Sequence, residues 1–62
     1  MINKTTIKNI QSGIQKECDI LRKNSNFLEV VIKDTTIKIL LKKNKNIYLG
    51  KFKDMEFIST GN

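Results

Sequence analysis

The chain has no histidine, proline, alanine or tryptophan, and only one cysteine and one arginine in 62 residues. Several of these absences exclude chemistry. Without histidine there is no usual general base at neutral pH. Ser-His and Cys-His nucleophile pairs are excluded, and so is a Cys/His zinc site. A lone Cys18 forbids an internal disulfide. Gly13, Gly50 and Gly61 are too scattered for a phosphate-cradling loop. The six carboxylates (Glu17, Asp19, Glu29, Asp34, Asp54 and Glu56) show no metal-ligand spacing. The expectation is a non-enzymatic protein with no cofactor and no metal.

Long apolar runs are also missing. No stretch approaches the roughly 20 residues that a membrane helix needs. The N-terminus carries Lys4 and no apolar core of the secretory kind. With the single thiol, this predicts a reducing, cytoplasmic setting. The length predicts one small domain over residues 1–62. A chain this short buries about 60% of its unfolded surface, so its core is thin. Dimerisation or docking on a partner is the remaining aid to stability.

What the chain does have is lysine, and its charge is unevenly placed. Residues 33–53 hold seven lysines against one acid, Asp34, and so carry the whole net charge of +6. Lysine, asparagine and isoleucine supply 28 of the 62 residues. An AT-rich coding sequence accounts for that abundance, but not for the absence of acids from residues 35–53.

Residues 4–23 read as a helix. Ile7, Ile10, Ile14, Cys18 and Leu21 are spaced 3, 4, 4 and 3 apart, which places them on one helical face. Asn3 fits an N-cap. Gly13 falls mid-helix and is read as a point of close approach to the sheet. Asn24, Ser25 and Asn26 supply a stop and a turn.

From Phe27 the period changes to two. Leu28, Val30 and Ile32 line one face of the first strand, Ile37, Ile39 and Leu41 one face of the second, and the two sets meet on the same side of the sheet. A turn at Asp34-Thr35 pairs Ile32 with Ile37, Val30 with Ile39 and Leu28 with Leu41. A loop at Asn44-Lys45 pairs Leu41 with Tyr48, Ile39 with Gly50 and Ile37 with Phe52. A turn at Lys53-Asp54 pairs Phe52 with Met55, Lys51 with Glu56 and Gly50 with Phe57. Phenylalanine is a known cover for a strand glycine. The predicted fold class is therefore α+β. One N-terminal helix packs on a three- or four-stranded antiparallel meander over residues 27–58. Residues 54–58 form either a strand or a helical turn, and residues 59–62 a frayed tail.

The opposite face of that sheet holds Phe27, Val31, Lys38, Leu40, Lys42, Ile47, Leu49 and Lys51, with Glu29 and Ile58 nearby. A solvated sheet face is mostly polar, whereas an apolar patch of this size marks an interaction surface. Two readings of the patch stand side by side. Either it docks on a partner, or the sheet curls into a small barrel and the patch becomes a second piece of core.

Residues 30–34 followed by 46–49 bear a faint similarity to the first motif of the Sm-like RNA-binding fold. Thr35 stands where that motif has glycine, and the second motif is lacking, so the chain is assigned to no family. The expected function is a protein-binding module that docks its basic, partly apolar face on the acidic or nucleic-acid-handling surface of a larger protein. Small solitary AT-biased domains of this kind are typical of phage and mobile-element inhibitors. The alternative is non-specific nucleic-acid binding through lysine-phosphate contacts. Against it stand the single outward aromatic, Phe27, and the single arginine, Arg22. A homodimer with paired sheet faces is the third reading.

Overall fold

The structure, a computed structural model, describes residues 3–61. Six strands follow in chain order: β1 (Lys4–Asn9), β2 (Gln15–Lys23), β3 (Phe27–Ile32), β4 (Lys38–Asn44), β5 (Ile47–Phe52) and β6 (Met55–Ser59). Each pairs antiparallel with the next, and β1 pairs with β6, so the sheet closes into a barrel. There is no helix among the described residues. Closure removes the exposed sheet edges that a thin domain would otherwise present.

The expected helix over residues 4–23 is corrected to the β1–β2 hairpin. Of its five apolar stripe residues, only Ile7 and Cys18 are buried, whereas Ile10, Ile14 and Leu21 are 49%, 56% and 45% exposed. The local chemistry explains the outcome. Thr5, Thr6 and Ile7 are β-branched and favour a pleated strand. Asn9 then organises a turn: its side-chain oxygen accepts the amides of Gln11 at 2.9 Å and Ser12 at 3.1 Å. Gly13 has φ 76°, with nothing near a Cβ built there. It serves the turn by its backbone and not by close approach to the sheet. Asn3 is not an N-cap, for its carbonyl accepts the Ile20 amide at 2.8 Å as the pairing of β1 with β2 continues.

The β3–β4 hairpin has the expected register: Val30 faces Ile39, Leu28 faces Leu41, and the Ile32 amide donates to the Ile37 carbonyl at 3.0 Å. The β5–β6 hairpin also matches, with Phe52 opposite Met55 and Gly50 opposite Phe57, so residues 55–59 are a strand. Between β4 and β5 the pairing is slipped by two residues. Asn44 pairs with Ile47, and Leu41 pairs with Gly50 and not with Tyr48. The loop is Lys45-Asn46, with Lys45 at φ 60°. A slip of two keeps every side chain on its expected face.

The core is Ile7, Cys18, Leu28, Val30, Ile39, Leu41, Tyr48 and Phe57. One barrel end is closed by polar contacts. Tyr48 donates its hydroxyl to the Asn24 carbonyl at 3.1 Å. Thr5 and Ser59 share a hydroxyl hydrogen bond of 3.1 Å, and Lys23 donates to the Gly61 carbonyl at 2.8 Å. Ser59 and Gly61, in the stretch expected to fray, are buried. Asn62 lies outside the described residues.

One bulge shapes β2. Ile20 pairs with Val30 but Arg22 pairs with Glu29, so Leu21 is an extra residue on that strand. The strand's parity changes there. Arg22 turns outward onto Glu29, and Lys23 turns toward the barrel end, where it meets Gly61.

Candidate docking face

The barrel curls, yet the second apolar set stays outside it. Leu40 is 49% exposed, Lys38, Lys42 and Lys51 are also exposed, and Phe27, Val31, Ile47 and Leu49 are half-buried. All eight residues singled out in the sequence lie on the outer surface of β3, β4 and β5. Strand alternation puts them there, because the core takes Leu28, Val30, Ile39, Leu41 and Tyr48 from the same strands.

The observed register rearranges the neighbours within this face. The expected pairing of Leu41 with Tyr48 would set Leu40 beside Leu49 and Lys42 beside Ile47. Instead Lys42 stands between Phe27 and Leu49, while Asn44 takes the place opposite Ile47. Leu40 lies opposite Glu29 and level with Lys51. A shallow cleft lined by Leu40, Lys42, Asn44, Leu49, Lys51 and Glu56 runs along the β4–β5 surface.

Barrel closure extends the face through Ile58, which its parity already placed there, to Lys8, which the sequence reading left out. Leu49 pairs with Ile58 of β6, and Ile58 pairs with Lys8 of β1. A second cleft, lined by Thr6, Lys8, Gln15, Ile47 and Ile58, adjoins the first. The parity of Ile58 gave a hint of its place. Lys8 gave none, since its position depends on β1 being a strand.

The electrostatics divide the barrel. Among the described residues the ion pairs are Lys4–Glu17 at 3.5 Å and Arg22–Glu29 at 3.0 Å, both on the β1–β3 side. Residues 38–53 contain six lysines and no acid. Lys43 lies over the Tyr48 ring at 4.7 Å and Lys53 over the Phe52 ring at 5.6 Å. Lys38, Lys42 and Lys51 lie on the outer face and form no ion pair among the described residues, although Glu56 lies opposite Lys51 in the ladder.

The aromatics are poorly placed for stacking bases. Phe27 carries the Arg22 guanidinium at 5.3 Å from its ring centre. Tyr48 and Phe57 are buried. Cys18 is fully buried, and burial raises its thiol pKa, with Asp19 adding to the rise. Among the described residues no cluster of three metal-ligating side chains is present. No helix among them is long and apolar enough to cross a membrane.

No protein-family model matches the chain, and no curated protein or solved structure shows significant similarity to it.

Proposed function

We propose that this protein is a binding module that acts by occupancy, docking the outer face of β3–β5 on an acidic surface of a larger protein. The observation that carries this reading is the exposed Leu40, set among Lys38, Lys42 and Lys51, none of which has an acidic partner at ion-pair distance among the described residues. Apolar area supplies affinity, and desolvated anchors dominate it. The lysines select an acidic partner and speed encounter. A second copy of the chain is a poor occupant, because it would bring these lysines against their own copies.

Phosphate binding is the second reading, and the same lysines favour it. The covered Phe27 ring and the buried Tyr48 and Phe57 weigh against base stacking. The test is affinity capture from the native host lysate with and without nuclease, using wild-type and Leu40→Asp baits. A protein retained by wild type after nuclease and lost with Leu40→Asp supports docking. Capture that vanishes with nuclease, or that tolerates Leu40→Asp, overturns it.

A further inference from the structure

We propose that the docking face receives an extended acidic segment that wraps the barrel from β4 to β1, with apolar side chains between its carboxylates. This rests on the docking reading and goes beyond it. Lys42, Leu49, Ile58 and Lys8 form one row across four neighbouring strands. The row is cationic at both ends and apolar in the middle. It contains no acid, and neither terminal lysine forms an ion pair among the described residues. The two adjoining clefts follow the same track, one holding Lys42 and Leu49, the other Ile58 and Lys8.

Curvature decides what fits. The row crosses three of the six strand-to-strand steps of a closed barrel, which is half its circumference. A flat surface or a straight helix touches a convex face along a narrow strip and cannot reach both terminal lysines. An extended chain can follow the curve. Its side chains on one side repeat about every 6.6 Å, against a strand spacing of about 4.8 Å at the backbone. Side chains splay on the outside of a curved sheet, so the spacing at their tips widens toward that repeat. A segment with the same-side order acid, apolar, apolar, acid then meets Lys42, Leu49, Ile58 and Lys8 in turn. The nearby acid, Glu56, lies in the adjacent row opposite Lys51.

The probe is a synthetic peptide containing Glu-Ser-Leu-Ser-Leu-Ser-Glu, titrated into isotope-labelled protein and followed by NMR. A peptide of the same composition with both glutamates at one end is the comparison. The expected result is amide shifts along β4, β5, β6 and β1, with weaker binding of the rearranged peptide. Lys8→Glu and Lys42→Glu should each reduce affinity at least tenfold while the spectrum stays folded. Shifts confined to β3–β5, with affinity indifferent to Lys8→Glu, overturn the wrapped segment and leave the docking face standing. No binding at the highest soluble peptide concentration also overturns the wrapped segment. The docking face itself fails separately, if the captured partner tolerates Leu40→Asp.

Discussion

Gly50 lies opposite Phe57 on neighbouring strands, and a Cβ at Gly50 would stand 2.7 Å from the carbonyl oxygen of Leu40 and 2.9 Å from Cγ of Leu41. The first obstacle is backbone, so it cannot swing aside as a side-chain tip would. Gly50 therefore sets how closely β4 and β5 approach. Gly50→Ala should destabilise the barrel by about 1–3 kcal/mol, the usual range for overpacking. In a domain of this size each kcal/mol lowers the melting temperature by roughly 4–8 °C. A thermal melt unchanged by Gly50→Ala would refute the close approach.

Two lysines carry backbone strain. Lys45 and Lys53 sit at φ 60° and 57° in the β4–β5 and β5–β6 turns. Lysine adopts this region reluctantly because its Cβ crowds the following carbonyl oxygen. Glycine does not pay that cost but loses more entropy on folding. The balance favours Lys45→Gly and Lys53→Gly by about 0.5–1 kcal/mol each. Chemical denaturation should show higher midpoints for both. Lower midpoints would mean that the turns do not hold these residues at positive φ.

The strands after Phe27 were legible because their alternation is strict and their turns agree in parity. Leu28, Val30, Ile39 and Leu41 are all buried, and Lys51 does lie opposite Glu56. The two-residue slip between β4 and β5 was not legible, because any even shift keeps parity. No pattern of apolar residues distinguishes one even shift from another. The first third misled for a different reason. Ile7, Ile10, Ile14, Cys18 and Leu21 fall at helical spacing, but three of them belong to a turn and a bulge. The true inward set includes Thr5, which reads as polar, and the bulge at Leu21 interrupts the alternation of β2. The docking face followed from parity and was therefore legible on β3–β5. Its continuation to Lys8 required knowing that β1 closes on β6.

Cys18 is a measure of closure at the β1–β2 hairpin. Its thiol is wholly buried, and burial pushes its pKa above the ordinary value, with Asp19 and Glu17 adding to the rise. The native thiol should resist a disulfide reagent, and labelling should track unfolding. Stability should also respond to alkali. As pH rises past the ordinary thiol pKa, the unfolded chain ionises first and binds fewer protons than the native state. The contribution is thus complete below the unfolded pKa and is lost as pH rises through the folded one. Denaturation across this range should show a steeper alkaline loss in wild type than in Cys18→Ala. Rapid labelling of folded protein would place Cys18 at the surface.

Leu40 and Lys42 lie two residues apart on one strand, yet they should fail in different ways. Leu40 is 49% exposed, so Leu40→Asp leaves the core intact and circular dichroism should be unchanged. If a protein docks here, the new carboxylate replaces the apolar Leu40 anchor and is desolvated in the contact, and binding should fall at least a hundredfold, the scale of a hot-spot loss of about 2–4 kcal/mol. Lys42→Glu alters the charged surround instead. It should mainly slow association, and the effect should shrink as salt screens it. Phosphate contact inverts this order. The lysine change would then remove most affinity, and wild-type binding itself would weaken by orders of magnitude between low and physiological salt. Leu40→Asp would cost only about as much as one lost charge. Association and dissociation rates of both folded variants, measured at two salt concentrations against the captured partner, separate the cases. Binding that survives Leu40→Asp, is lost with Lys42→Glu and in wild type collapses by orders of magnitude between low and physiological salt would replace the docking module with a phosphate-binding one.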